Sequence, residues 1–241
     1  SVNVFGSSNR KVDVDDFMEL ENRYPNVIGG ISPLVQTEST IKYKDNNMKV
    51  VVEGVLEVYN DIVNLNIESG RFISSVDNDF KNRVAIIGKK VVEELFADES
   101  PLDKEIYVDG YKFKVVGVLE SDSGSVMSSS DEVIVMPLLT AQRLAKTNEI
   151  NSYYVQAASK DTVDAAVAVI EDFLTQKLDD NKLFNVFSLT QLLDSINVIT
   201  QTFTLVLAGI AGISLLVGGI GIMNIMLVSV SERTREIGIR K

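Results

Sequence analysis

Asp77 and Asp79, in the stretch SVDNDFKN, come nearest in this chain to the type and spacing that metal chemistry needs. A calcium loop requires several further oxygen ligands and a glycine at its sharp turn, and the stretch supplies neither, so it reads as a solvated turn. The adjacent carboxylates Asp15–Asp16 and Glu93–Glu94 fall on expected helices and read as solvated faces, not as an acid/base pair. Tyr153–Tyr154, in a strand, puts one ring in the core and one outside. Gly219-x-Gly221 falls short of a dinucleotide fingerprint, because Asn224 holds the third glycine's place and no strand precedes it. No GxxxxGK followed by Ser or Thr is present. The chain has no His, Cys or Trp, which removes the usual zinc sites, a thiol nucleophile and a Ser–His–Asp triad. These residues support no enzyme, and no catalytic, metal-binding or cofactor-binding residue is assigned.

Those glycines lie instead in an apolar run. From Phe203 to Val230 there are 28 residues without a charge. As a helix the run extends about 42 Å, against a hydrocarbon core about 30 Å thick, so it spans with tilt or protrudes as a stalk. Ala208/Gly212 and Ser214/Gly218 are small-xxx-small pairs, which either let helix backbones approach closely or reflect the commoner use of glycine in membrane helices. Asn224 either bonds a neighbouring helix or sits near the interface.

Of the 23 Lys and Arg residues four follow the run, and of the 34 Asp and Glu residues two do. The first 202 residues therefore carry a net −13 and the end +2. Basic flanks stay cytoplasmic, which puts residues 1–202 outside the cell membrane and the tail inside. The acidic outer part argues against nucleic acid as a partner. Export of so long a segment requires a preceding membrane helix, so the chain is expected to be a piece of a longer protein.

The elements of residues 1–202 alternate irregularly, giving an α+β domain. The opening SVNVFGSSNRKVDVDD is polar and has no signal-peptide core. Val14, Phe17, Leu20 and Tyr24 share a helix face, followed by Pro25. A hairpin is expected with Ile41 and Tyr43 inward, a turn at Asp45-Asn46-Asn47, and Val50, Val52, Leu56 and Val58 on one face of the return strand. RVAIIG is a buried strand, and KKVVEELFAD a helix with Val91, Val92, Leu95 and Phe96 inward. Asp109-Gly110 supplies a two-residue hairpin turn, after which Tyr111, Phe113 and Val115 face in. The serine-rich stretch 121–131 reads as an exposed loop, either a bare tip or a partner-contacting one. EVIVM is a strand and Pro137 opens the next helix. SYYVQA is a strand, KDTVDAAVAVIEDFLTQKL an amphipathic helix and LFNVFS a strand. LTQLLDSINVITQ is a helix running directly into the apolar run.

The end, GGIGIMNIMLVSVSERTREIGIRK, resembles the second transmembrane helix and following cytoplasmic segment of MacB-type ABC transporter permeases, within the FtsX-like permease superfamily. ISPLVQTESTIKY, SGRFIS, RVAIIGKKVVEELF, SPLDKEIYVDGYKFKVVGVLE and VIVMPLLTAQRL resemble that family's outer domain in the same order. The resemblance implies an extracytoplasmic domain over 1–202, with a porter-like part and an inserted distal subdomain. A transmembrane helix over 203–230 and the start of a cytoplasmic coupling segment over 231–241 would follow. It implies a permease dimer in membrane lipid, working with a membrane-fusion or adaptor protein and a cytoplasmic ABC ATPase that alone binds ATP and Mg. Glu232, Arg233, Arg235, Glu236 and Arg240 are the implied ATPase contacts, and Ala208, Gly212, Ser214 and Gly218 the helix-packing candidates. The implied activity is efflux of peptides, antibiotics or similar amphiphiles. The alternative is a non-transporting sensor or regulator of cell-wall hydrolases that transmits motion by the same coupling.

Overall fold

The computed structural model describes residues 2–6, 14–97, 99–121, 130–178 and 184–239. Two units divide the chain, Ser1–Leu189 and Thr190–Lys241. The first is organised by strand β2 (Ile28–Tyr43), rich in β-branched residues and long enough to serve two sheets. Its first half pairs antiparallel with β9 (Ser152–Ala157), up to Leu34 opposite Ser152. From Val35 onward it pairs with β3 (Asn46–Val55) instead.

On the β9 side, β1 (Val2–Gly6) lies between β9 and β10 (Phe184–Ser188), antiparallel to both. Helices α1 (Val14–Arg23) and α6 (Val163–Leu178) close this sheet with the apolar stripes that their spacing predicts. Phe17, Leu20, Ile170 and Leu174 meet Ile31 and Val155 in one apolar cluster. The Phe17 and Tyr153 rings stack at 4.1 Å between centroids. The sequence assigns no element to the opening residues. Yet Val2, Asn3 and Val4 are all buried, in a strand paired on both sides.

On the other side, β3 continues through β8 (Val133–Pro137), β5 (Val84–Ile87), β7 (Tyr111–Leu119) and β4 (Ile67–Gly70). Strand β6 (Glu105–Val108) joins β7 to the end of β2. Helices α4 (Lys89–Phe96) and α5 (Leu138–Ala145) pack here, with Val91, Leu95, Phe113, Ile134 and Ala141 in a second cluster. The fit between β3 and α5 is close. A Cβ added to Gly54 would stand 2.2 Å from that of Ala141. Two short helices complete the unit, α2 (Tyr59–Val63) and α3 (Ser75–Asp79).

The Asp109-Gly110 turn forms as expected, with φ of 47° and 82°. Asp109 accepts from the Thr40 N–H at 2.9 Å and donates its own N–H back to Thr40, which fastens the hairpin to β2. Four local expectations shift. The β2–β3 turn is Lys44-Asp45, because Asn46 and Asn47 already pair with Tyr43 and Lys42. Strand β3 ends at Val55, so Leu56 and Val58 leave its face. Tyr111 keeps the alternation but lies past the edge of the core, exposed under the Arg83 guanidinium. Pro137 is the last residue of β8 and precedes α5 instead of opening it. Residues 122–129, most of the serine-rich stretch, lie outside the described residues.

Among the described residues the second unit is one helix. α7 (Leu189–Ile239) runs for 51 residues, and its part from Leu193 to Arg235 is long and apolar enough to cross a membrane, with an 18-residue window of mean hydropathy 2.4.

Candidate functional site

The two carboxylates closest to a metal motif separate. Asp79 is exposed, whereas Asp77 is buried at 2 % exposure. The solvated turn expected there is overturned for Asp77 by a local cause. Ser74 caps α3, and Asp77, three residues on, returns the bond to the Ser74 N–H at 3.0 Å as a capping box. Arg71 adds a forked pair at 2.6 and 3.3 Å, and the Asn82 amide donates at 3.0 Å. Burial by itself would raise the Asp77 pKa. The Arg71, Ser74 and Asn82 donors outweigh it and hold the carboxyl well below the usual carboxylate range. With its acceptor sites filled by protein donors, Asp77 is a fastening point. The neighbouring Asn78 accepts from the Leu138 N–H at 3.1 Å and so caps α5 where Pro137 offers no side-chain acceptor.

Tyr153 and Tyr154 take opposite faces of their strand, but the second ring is not left outside as expected. Tyr153 is in the core, and Tyr154 is half-buried against Tyr59, ring edge to face at 5.1 Å. Among the described residues no group of three or more acidic side chains is placed to hold a metal.

On α7, Ala208, Gly212, Ser214 and Gly218 are all exposed, as is every residue of the apolar run. A Cβ at Gly212 or Gly218 would meet nothing within 4 Å, so the fold of this chain does not itself demand glycine there. The hydroxyls near the N-terminal end of the run bond internally. Thr200, Thr202 and Thr204 each donate to the carbonyl four residues back at 2.8–2.9 Å. That leaves them compatible with lipid, where an unmade hydrogen bond is costly. Asn224 has no partner among the described residues.

The charged end continues the same helix without a break to Ile239. Glu232, Arg233 and Arg235 are exposed on it. Glu236 lies on the helix, but its side chain is outside the described part, and so is Arg240. Successive residues of an α-helix turn by about 100°. Arg233 and Arg235 therefore do not share one line along α7.

The family model for the MacB-like periplasmic core domain matches residues 1–173. The macrolide export ATP-binding/permease protein MacB of Bdellovibrio bacteriovorus is 34 % identical over 96 % of this chain. The uncharacterized ABC transporter permease YknZ of Bacillus subtilis is 36 % identical over 89 % of it. The chain spans 36 % and 54 % of those two relatives. Among solved structures, the periplasmic region of MacB from Actinobacillus actinomycetemcomitans shares the fold with a TM-score of 0.69 at 17 % identity, over 81 % of this chain and 92 % of that one. The extracellular domain of the noncanonic ABC-type transporter YknZ from Gram-positive bacteria does so with a TM-score of 0.65 at 19 % identity, over 78 % of this chain and all of the other. The mixed α/β unit with its long apolar helix belongs to the MacB-type ABC transporter permeases, as a member of the MacB-like periplasmic core domain family.

Proposed function

We propose that this chain is the extracytoplasmic domain and one membrane helix of an exporter permease, which turns ATP hydrolysis in a cytoplasmic partner into movement outside the membrane. The observation that carries this reading is the continuity of α7. It begins at Leu189, directly after β10, and runs unbroken past the apolar residues to the charged turns ending at Ile239. An α-helix of 51 residues is about 77 Å long at about 1.5 Å per residue. That is more than twice the hydrocarbon thickness, so one rigid element reaches both sides.

In this reading residues 203–230 span the bilayer, 1–202 are outside, and 231–241 begin the coupling segment inside. The basic end favours that orientation. Glu232, Arg233, Arg235, Glu236 and Arg240 touch the ATPase, where ATP and Mg are bound. The porter-like part is the β1–β9–β10 sheet with α1 and α6, and the distal subdomain is the insertion from the second half of β2 to α5. The change of partner along β2 at Leu34/Val35 supports that division. A second permease copy packs along Ala208, Gly212, Ser214 and Gly218, with Asn224 bonded across the helices. An adaptor protein receives the outer domain. The cargo is a peptide, an antibiotic or a similar amphiphile, in line with the macrolide export named for the Bdellovibrio relative.

The test is co-purification of the full-length permease with its ATPase, followed by ATP turnover in nanodiscs. Arg233→Glu with Arg235→Glu is expected to lower the retained ATPase about tenfold, roughly the effect of losing two rim charge pairs. Unchanged association removes the coupling role. An ATPase that binds but is never stimulated by peptide would transfer the reading to a sensor.

A further inference from the structure

Lys81, Arg83, Arg143 and Lys146 lie on one surface of the first unit, around two adjoining clefts of about 150 and 330 Å³ that share Lys81 and Arg143. Tyr111, Phe113 and Thr140 line the first cleft, Leu139 and Gln142 the second, and neither is lined by a carboxylate. All four cations are exposed, and none forms an ion pair with a described residue. Elsewhere Lys44, Arg71, Lys89, Lys90, Lys104, Lys112, Lys114 and Lys177 each have a carboxylate partner, whereas Arg23, Lys42, Lys49 and Lys160 form no ion pair with a described residue either. That pairing is the expected state in a chain with 34 acidic and 23 basic residues. Four cations around two joined clefts with no carboxylate in their lining are a local reversal of sign. The dipole of α5 accounts for Arg143 and Lys146 near its C-terminus. It does not account for Lys81 and Arg83.

The loop carrying those two is held from several directions. The Lys81 N–H donates to the Asn78 carbonyl, the Asn82 N–H to the Asp77 carbonyl, and the Lys114 N–H to the Arg83 carbonyl. The Thr140 hydroxyl donates to the Asn82 carbonyl at 3.2 Å, which ties the loop to α5. Lys81 and Lys146 both have φ of 53°, a left-handed conformation in which glycine is the easier residue. At both positions the chain carries a lysine instead. The cations are thus set on a fixed frame, with the exposed rings of Phe80 and Tyr111 and the Leu139 side chain as neighbouring apolar surface.

We infer that this surface docks an acidic segment of a partner protein, with carboxylates over Lys81, Arg83, Arg143 and Lys146 and an apolar side chain against Leu139 or Tyr111. The clefts are joined and open to solvent, which suits an extended chain better than a small ligand, whose pockets enclose most of its surface. Charge complementarity also favours fast, oriented association. The inference rests on the sign of this surface and not on ATP coupling, so it stands or falls separately from the exporter reading.

The full chain in nanodiscs of zwitterionic lipid is titrated with a fluorescein-labelled peptide of alternating Glu and Leu. A Lys-and-Leu peptide and inorganic phosphate serve as comparisons. The acidic peptide is expected to bind, more weakly as salt rises. Arg83→Glu with Arg143→Glu is expected to weaken it about tenfold or more, while Lys42→Glu with Lys49→Glu, at exposed lysines outside these clefts, leaves binding unchanged. Both pairs are at the surface, and tyrosine circular dichroism checks that they fold. Absent binding, equal binding of the basic peptide, or undiminished binding by the Arg83/Arg143 variant overturns the proposal. Phosphate competing at the peptide's own concentration overturns it in favour of a small-anion site.

Discussion

The Asp77 carboxylate exchanges water for fixed donors from Arg71, Ser74 and Asn82. Its pKa is depressed by folding, so its contribution to stability is complete above the ordinary aspartate value of about 4. The contribution is lost as pH falls through the lowered value. Asp77→Ala removes the cap and leaves Arg71 unpaired, and is expected to cost about 2 kcal/mol at neutral pH. Asp77→Asn keeps one acceptor and is expected to cost less. Both variants are expected to show a shallower loss of stability than the parent between about pH 4 and pH 2. Denaturant titrations followed by tyrosine circular dichroism measure this for the first unit alone, because all seven tyrosines fall between Tyr24 and Tyr154. A parent and variant with parallel pH profiles would refute the assignment. The cap itself was legible, since Ser74-x-x-Asp77 is a capping pattern. Its burial was not, because α5, which the next residue Asn78 caps, comes from some sixty residues further along the chain.

Among the elements, α7 was the easiest to read and the least complete when read. A charge-free run of 28 residues announces a membrane helix. Nothing in that run says whether the helix stops at Val230. Ser231 through Glu236 contain neither Gly nor Pro, and the helix continues through them to Ile239. The reverse holds for β1, whose pattern spans only five residues and whose partners β9 and β10 lie far along the chain. The purpose of the glycines on α7 needs a variant to decide. Gly212→Ala and Gly218→Ala have open space for the added methyl and gain about 1 kcal/mol each in helix propensity. Isolated-helix stability is thus expected to rise. If a partner helix packs there, Gly212→Ile with Gly218→Ile is expected to cut disulfide-free chemical cross-linking of permease copies about tenfold, by separating the backbones. Cross-linking that survives isoleucine at both positions would leave those glycines with a compositional explanation only.

At the scale of the molecule, two long elements matter more than any side chain. Strand β2 belongs to two sheets, so the apolar clusters on either side of Leu34/Val35 are tied by one covalent and hydrogen-bonded rod. Strand β10 passes into α7 with no intervening residue, Ser188 ending one and Leu189 beginning the other. In the exporter reading, motion of α7 is passed to β10, which is paired through β1 and β9 to β2. If the permease works by such transmission, a break in α7 between the outer unit and the apolar run should uncouple it while leaving both ends intact. Thr202 is suited to this test, because its N–H belongs to the helix interior and its hydroxyl bonds the Val198 carbonyl at 2.8 Å. Thr202→Pro removes the backbone donor, clashes with that same carbonyl and costs the helix about 3 kcal/mol locally. Thr202→Ala removes only the hydroxyl bond. In the full-length permease with its ATPase, the proline variant is expected to retain ATPase binding and the tyrosine dichroism of the outer unit. Stimulation of ATP turnover by peptide is expected to fall about tenfold, as it would for a remote geometric error, and the alanine variant to match the parent. Full stimulation in the proline variant would mean that motion reaches the outer unit by some route other than α7.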